Sequence, residues 1–307
     1  MTKTMITTAL VLLISLPGVT HAVNVDTPEI TYMDVDQETM QTVRTEFPEA
    51  TNINANFLNT DYDPYLTVNQ DANVSVTFLD EGAGYRNSLG WMTFTESSFA
   101  GLSKGDIDID GSGNISLNEL NSIDGVDSGW LFTNSSLTGQ GGNLSPGATV
   151  DLGNGTLESG TSFSFFLGQN SALGDSGVTN GVFTGSDPVF YGLDFLNPEA
   201  DFTSTFDSNL SDSRHVAMLF TDDSREQVIM GFEDLNRENR YANDYFYRSD
   251  EDFNDTIFTI QSDPAEAFGD SNIATAPLPP LGSGLLGLAM LVWLSRMSFV
   301  QRATTEA

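Results

Sequence analysis

The stretch DIDGSGNISLNE, which runs from Asp108 to Glu119, spaces its oxygen-bearing side chains in a way that suits a metal ion. Oxygens at alternating positions of a tight turn converge on one face, and a final carboxylate closes the shell with two more oxygens. Such all-oxygen ligand sets are the kind that Ca²⁺ prefers. The candidate ligands are Asp108, Asp110, Ser112, Asn114 and Glu119. The spacing predicts a calcium site, and the alternative is a polar turn at a hairpin tip.

With Asp108 as its first position, this stretch resembles an EF-hand loop at every constrained position. The resemblance implies that Asn114 binds through its backbone carbonyl and that Ser116 acts through a water molecule. The sequence SLNEL favours a short helix at the end of the loop, whereas Gly101 and Gly105 disfavour a full helix before it. Three acidic ligands imply a dissociation constant on the order of 10⁻⁴–10⁻³ M, as in extracellular modules.

A second group of acidic residues adjoins two apolar runs farther along the chain, Val228–Phe232 and Thr256–Ile260. If these runs pair as a hairpin, the acidic residues meet at its mouth, where two carboxylates 5 Å apart repel by about 3 kcal/mol at an effective dielectric near 20. The residues concerned are Glu233, Asp234, Asp252, Asn254 and Asp255. The group predicts either a second calcium ion or ion pairs with arginines of the intervening loop, namely Arg237, Arg240 and Arg248.

The whole chain is strongly acidic, with 43 aspartates and glutamates against 11 lysines and arginines and a formal net charge of −32. This charge repels nucleic acid and anionic lipid headgroups, so it excludes a nucleic-acid partner, and it concentrates cations around the protein. Recurrent apolar runs distinguish the chain from a disordered acidic tail. Because the sequence has no cysteine, it lacks the disulfides common outside the cytoplasm. We expect bound cations to tie down its loops.

The first 22 residues have the order of a secretory signal peptide. Lys3 precedes the apolar run Ala9–Leu16, and a small-residue cleavage site follows at Ala22. The run is too short to span a bilayer. A short apolar N-terminal helix is the alternative.

Near the other end, residues 281–300 form an apolar helix candidate behind the proline-rich lead APLPP. A comfortable span needs about 20 residues, which this run reaches at Val300 with Arg296 extending to the headgroups. The lead, the apolar run and the terminal arginines resemble the PEP-CTERM type of bacterial sorting tail. The resemblance implies export through the inner membrane of a Gram-negative bacterium to the cell surface, with transient anchorage or processing by a sorting enzyme. The alternative is a buried C-terminal helix.

Between these ends, short runs with a two-residue period predict strands. In VSVTF, Val74, Val76 and Phe78 share one face, and in TSFSFFLG the inward residues are Phe163, Phe165 and Leu167. The runs VAMLF and VIMGF are apolar on both faces, which places them in the middle of a two-layer core. Many short strands separated by turn residues predict an all-β fold class, a β-sandwich or jelly-roll-like domain.

The predicted domain covers residues 66–262, with the calcium loop inserted in it. Residues 23–65 form a polar segment with one short amphipathic helix, whose apolar side carries Met40, Val43 and Phe47. Residues 263–280 are rich in proline and small residues and are expected to form an extended linker.

Catalytic motifs are few, which predicts that the protein is not an enzyme. GDSG at 174–177 resembles a protease nucleophile loop, but His215 follows it, whereas the histidine precedes the serine in chymotrypsin-like proteases. With one histidine beyond the signal peptide and no cysteine, multi-histidine zinc sites and thiol catalysis are excluded. His215 is expected to be a structural residue at the start of a strand.

Four sequence segments resemble the bacterial domain-of-unknown-function family numbered 4114: VSVTFLDEGAGYRNSLGWMTF, NLSPGATVDLGNGTLESGTSFSFFLGQN, HVAMLF and GFEDL with DEDFNDTIFTI. The resemblance covers Leu66–Ile260 and implies an extracellular, β-rich, calcium-dependent domain with no catalytic residues to carry over. We therefore expect a calcium-binding structural protein of the cell surface or extracellular matrix, with other surface proteins as partners. The alternative is a calcium-dependent carbohydrate-binding module that holds polysaccharide through the aromatic residues of RYANDYFYRSD, namely Tyr241, Tyr245, Phe246 and Tyr247.

Overall fold

Strands are the main regular elements of the computed structural model, which describes residues 28–153, 155–172, 178–179, 182–183, 188–200, 213–237 and 249–277. In chain order the strands are β1 (Thr31–Tyr32), β2 (Leu66–Thr67), β3 (Asn73–Asp80), β4 (Ser88–Phe94), β5 (Asp127–Phe132), β6 (Ala148–Asp151), β7 (Ser162–Gly168), β8 (Val178–Thr179), β9 (Val182–Phe183), β10 (Val189–Tyr191), β11 (Val216–Phe220), β12 (Gln227–Phe232), β13 (Thr256–Asp263) and β14 (Ala274–Thr275). The helices are α1 (Gln37–Glu46), α2 (Lys104–Ile107), α3 (Leu117–Leu120) and 3₁₀ turns at Ala55–Leu58 and Asp194–Leu196.

Two main sheets are formed by these strands. The larger has the order β1-β6-β3-β13-β12-β11-β14, and its neighbours are antiparallel except for the parallel pair β11 and β14. The smaller has the order β10-β7-β4-β5, with β2 also paired to β7, and β8 pairs only with β9. The prediction of an all-β fold is confirmed.

The two sheets pack face to face through large aromatic side chains. Phe165 of β7 meets Phe258 of β13 with ring centroids 5.0 Å apart, and Phe78 of β3 meets Phe132 of β5 at 6.2 Å. Fully burying one such side chain contributes roughly 1.5–3 kcal/mol. The inward faces predicted for β3 and β7 are confirmed, since their alternate apolar residues belong to one shared buried core.

Strands β11 and β12 lie inside the larger sheet and are buried on both faces, as their sequences predict. Met218 and Met230 face the smaller sheet, whereas Leu219 and Ile229 face a separate apolar cluster on the other side. That second cluster is covered by residues 28–65, including helix α1.

Helix α1 has the apolar side that the sequence predicts. Val43 and Phe47 are buried in the cluster, and Met40 packs against it half-buried. Asp36 caps the helix by accepting a 2.7 Å hydrogen bond from the backbone N–H of Thr39. The N-terminal segment is thus part of the packed structure, because its apolar residues cover the outer face of the larger sheet.

Residues 263–280 were expected to form an extended linker, but those that the structure describes, 263–277, also pack on the domain. Ala267 and Phe268 are buried in the core between the sheets, and β14 extends the larger sheet beside β11. The packed structure therefore continues past residue 262 to β14, because a few apolar side chains anchor an otherwise polar stretch.

Both predicted export elements, residues 1–22 and 281–300, lie outside the described residues. In the described part of the chain, every helix is too short or too polar to cross a bilayer.

Gly231 of β12 lets the backbone at Phe253, in the acidic hairpin mouth, pack closely against the sheet. A methyl group there would lie 2.2 Å from the carbonyl oxygen of Phe253 and 2.6 Å from the ring of Phe47. We predict that Gly231→Ala lowers the free energy of unfolding by roughly 1–3 kcal/mol through overpacking. Gly84→Ala is the matched control, since a methyl group there meets nothing within 4 Å. Urea denaturation of both variants checks this, and equal midpoints would contradict it.

Candidate metal centres

The hairpin of β12 and β13 brings the second acidic group together. The strands pair antiparallel up to Phe232 opposite Thr256, as the sequence predicts. Residues 233 and 234 therefore leave the sheet beside residues 252–255, which enter it. This convergence follows from the register of the two strands alone.

Three predicted residues of this group form a possible ligand set. One carboxylate oxygen from each of Glu233, Asp252 and Asp255 lies within 4.8 Å of the others. Ca²⁺ binds oxygens at 2.3–2.6 Å, so two ligands on opposite sides of one ion are about 4.6–5.2 Å apart. A second set, Glu49, Asp250 and Asp252, meets the same distance condition. Asp252 is common to both sets, and we call them together the hairpin centre.

Backbone amides hold the buried carboxylates of the hairpin centre in place. Glu233 is fully buried and accepts hydrogen bonds from the N–H groups of Leu235 and Glu251, both at 3.1 Å. Asp252, which is 1 % exposed, accepts from the N–H of Ala50 at 2.8 Å. Each oxygen keeps lone pairs beyond these hydrogen bonds. The carboxylates are therefore oriented by the backbone and can still bind a metal ion.

The other two predicted residues, Asp234 and Asn254, point to different partners. Asp234 accepts a 2.6 Å hydrogen bond from the side-chain amide of Asn87, and its backbone N–H donates to Asp255 at 2.7 Å. The side-chain amide of Asn254 donates to Glu49 at 3.0 Å. Asp234 and Asn254 therefore lie beside the three candidate ligands, each in a hydrogen bond of its own.

The arginine alternative holds for a neighbouring carboxylate. Arg237 binds Glu251 with two hydrogen bonds, of 2.8 and 3.2 Å, and its guanidinium lies 5.2 Å from the ring centre of Phe253. Arg240 and Arg248 lie outside the described residues. The described ion pair thus involves Glu251, which the sequence did not single out.

The backbone before β13 adopts left-handed conformations on both sides of Asp252. Glu251 has φ of 63° and Phe253 has φ of 57°, which costs about 1–2 kcal/mol for each residue with a side chain. This alternation lets Phe253 enter the apolar cluster under α1 while Asp252 turns toward Glu233. The surrounding packing holds the strained segment in place.

Four buried carboxyl groups at the hairpin mouth have raised pKa values, chiefly because burial removes them from water. Burial raises the pKa of Asp234 to about 7, with Asp250 and Asp252 adding to the shift, and that of Asp252 to about 6. Burial and neighbouring carboxylates also hold the pKa values of Glu233 and Asp255 well above their usual range. A cation placed among these groups would lower all four.

The stretch from Asp108 to Glu119, which we call the loop centre, also gathers carboxylates. One oxygen from each of Asp108, Asp110 and Glu119 lies within 4.8 Å of the others. Asp108 accepts from the N–H groups of Ser112 at 3.0 Å and Gly113 at 2.9 Å. The backbone N–H of Ser112 also donates to Asp110 at 2.9 Å. The loop is thus closed around oxygen atoms that face one another.

Glu119 ties the two ends of the loop centre together. One of its oxygens accepts from the N–H of Ile109 at 2.8 Å, and the other accepts from the N–H and hydroxyl of Ser116, both at 2.8 Å. The Ser116 bonds form a capping box at the start of α3. The short helix predicted after the loop is confirmed, and α2, before it, has only four residues.

Tyr191 of β10 anchors the loop centre to the smaller sheet. Its hydroxyl donates to the carbonyl of Ile115 at 2.7 Å and accepts from the N–H of the same residue at 2.9 Å. Asn114, the predicted backbone ligand, accepts through its side chain from the N–H of Val189 at 3.0 Å. Its backbone carbonyl accepts from the Ser112 hydroxyl at 2.8 Å. The loop centre is therefore fixed to the core and is not a free surface turn.

One family of known proteins matches part of the chain. Residues 157–263 match the family described as Domain of unknown function (DUF4114). The match includes β7, β12, β13 and the whole segment between the last two, so it contains most of the hairpin centre. It supports the family resemblance seen in the sequence but does not reach residues 66–156, which hold the loop centre. No curated protein and no solved structure matches the chain significantly.

The raised pKa values predict how stability depends on pH in the presence of a chelator. A carboxyl with a pKa near 4 in the unfolded chain and near 6 or 7 in the fold favours folding at low pH. That contribution is lost as pH rises through the folded-state values of Asp252 and Asp234. The melting temperature in chelator should therefore fall between pH 5 and pH 8. Thermal unfolding monitored by circular dichroism checks this, and a melting temperature that rises over this range would contradict it.

The matched variant for this measurement is Asp234→Asn, which keeps an oxygen for the amide of Asn87 but cannot ionise. The variant should show a shallower fall with pH than the native chain.

Proposed function

We propose that this protein is a non-catalytic, calcium-binding structural protein of the bacterial surface or extracellular matrix. The observation that supports this best is the hairpin centre, where buried carboxylates gather with raised pKa values. Burying ionised carboxylates costs several kcal/mol each unless a counter-charge is supplied. A divalent cation supplies that charge and lets the carboxylates ionise at neutral pH.

The ligand chemistry favours Ca²⁺ over other divalent ions. Both centres offer oxygen atoms alone, whereas Zn²⁺ prefers nitrogen and sulfur ligands. Mg²⁺ demands near-ideal octahedral geometry and keeps several waters. Ca²⁺ accepts six to eight oxygens with flexible geometry, which suits carboxylates positioned by a strained loop and a hairpin. Millimolar affinity is sufficient for an ion that is abundant outside the cell.

The loop centre is the second calcium position of the proposal. Its EF-hand-like spacing, its three converging carboxylates and its attachment through Tyr191 support this role. Calcium there would tie α2, α3 and β10 together, and calcium at the hairpin centre would tie the N-terminal segment to β12 and β13. Both ions would then replace the cross-links that disulfides provide in other secreted proteins.

The remaining parts of the proposal rest on the sequence. The signal peptide predicted at 1–22 and the sorting tail predicted at 281–300 support a location at the cell surface of a Gram-negative bacterium. Its strong negative charge favours solubility. The same charge would allow calcium ions to bridge it to other acidic surface proteins. We infer no catalytic role.

Calcium titration of thermal unfolding tests the proposal. Calcium at a hundred times its dissociation constant should add about 2.7 kcal/mol to the free energy of unfolding for each site. We expect the double variant Asp252→Asn with Asp255→Asn to lose the contribution of the hairpin centre, and Glu119→Gln to lose that of the loop centre. In chelator at pH 7.5 the double variant should be more stable than the native chain, because it no longer buries uncompensated charge.

Glu158→Gln is the control, because it removes an exposed carboxylate outside both centres. It should leave the calcium effect unchanged. If calcium fails to raise the melting temperature of the native chain, or raises that of all variants equally, the proposal is wrong.

A further inference from the structure

A pocket of about 680 Å³ opens beside the smaller sheet, among residues that belong to neither carboxylate centre. This volume falls within the range of roughly 300–1,000 Å³ typical of small-molecule sites. Four aromatic residues form much of its wall, namely Tyr65, Phe94, Phe99 and Phe195. The pocket lies where β2, the end of β4 and the 3₁₀ turn Asp194–Leu196 meet.

The aromatic rings form one continuous series of edge-to-face contacts. Tyr65 and Phe94 have centroids 5.4 Å apart, Phe94 and Phe99 also 5.4 Å, and Phe99 and Phe195 5.5 Å, with interplanar angles between 70° and 76°. Such contacts hold each ring in a defined orientation. Because successive rings are turned by 70–76°, the series presents both faces and edges as a rigid apolar wall.

The polar part of the lining consists of hydroxyl groups and carboxylates. Thr67 and Ser162 lie in the lining with their hydroxyl oxygens 2.8 Å apart, and the phenol of Tyr65 adds another hydroxyl. Glu96 is an exposed carboxylate at the pocket. Asp194 is held by Arg214 through three hydrogen bonds of 3.1–3.2 Å. Hydroxyls both donate and accept, so they suit a ligand whose own polar groups are hydroxyls.

We propose that this pocket binds a neutral saccharide, with a sugar ring packed against the wall around Phe99 and its hydroxyls bound by Glu96 and Tyr65. An acidic saccharide is disfavoured, because the chain carries a net charge of −32 and Glu96 lies exposed at the pocket. A quaternary ammonium ion is a poorer match, since Asp194 already has its arginine and such an ion has no hydrogen-bonding group for the hydroxyls. The described residues that line the pocket belong to neither carboxylate centre. The aromatic loop at 241–247 lies outside the described residues.

Binding of defined probes to the mature chain in calcium-containing buffer tests the proposal. The probes are neutral gluco-, galacto- and manno-configured trisaccharides, a galacturonate trisaccharide, and tetramethylammonium, followed by ligand-observed NMR and calorimetry. We expect at least one neutral trisaccharide to bind more tightly than the galacturonate and the ammonium ion. Phe99→Ala should weaken that binding about tenfold or more, and Glu96→Gln, a change at an exposed position, should weaken it several-fold without unfolding the protein.

Tyr32→Ala is the matched control, because it removes an exposed aromatic residue on β1, an edge strand of the larger sheet. It should leave saccharide binding unchanged. The proposal is overturned if no neutral trisaccharide binds at about 10 mM, roughly ten times a weak dissociation constant of about 1 mM, if either charged probe binds best, or if binding survives both pocket variants. The calcium-induced rise in melting temperature, recorded on the same samples, separates this outcome from a failure of the calcium proposal.

Discussion

A carboxylate that is buried away from water is stabilised either by a nearby positive charge or by taking up a proton. At the mouth of the β12–β13 hairpin this constraint applies to several carboxylates at once. Glu233, Asp252 and Asp255 converge there because two well-paired strands end at the same level. The strands themselves are fixed by the apolar core on one face and by the cluster under α1 on the other. The packing of the sandwich therefore buries carboxylates at a cost in desolvation and mutual repulsion. The described side chains around them offset that cost only in part.

The two carboxylate centres offset the cost of gathering their carboxylates in different ways. In the loop centre, backbone N–H groups and serine hydroxyls surround the carboxylates, and Asp110 remains in contact with solvent. In the hairpin centre, burial outweighs the hydrogen bonds and raises the pKa values. In the loop centre the carboxylates are thus already oriented by hydrogen bonds, whereas the hairpin centre would be stabilised more by a bound cation. The position of Glu49 and Ala50, directly after α1, makes the N-terminal segment part of the second centre.

The sequence alone predicted strands β3, β7, β11, β12 and β13 and the convergence at the hairpin, because period-two patterns and doubly apolar runs such as VAMLF report burial directly. It could not tell which acidic side chains turn inward, since Asp234 is held by Asn87, a residue far away in the chain. Glu49 was missed for the same reason, as its place depends on how α1 covers the sheet. The segment after β13 resembled a linker because Ala267, Phe268 and β14 contribute few apolar residues to a polar stretch. Tyr191 is recognisable as an anchor only once β10 lies beside the loop.

The central claim is that calcium takes the place of protons at the hairpin centre. Calorimetric titration of the mature chain with calcium at pH 7, in two buffers of different ionisation enthalpy, measures the protons released for each ion bound. We predict net proton release that declines toward pH 9 and is reduced in Asp234→Asn, because burial raises the pKa of Asp234 to about 7. Calcium binding without proton release at pH 7, or no calcium binding at all, would contradict the account.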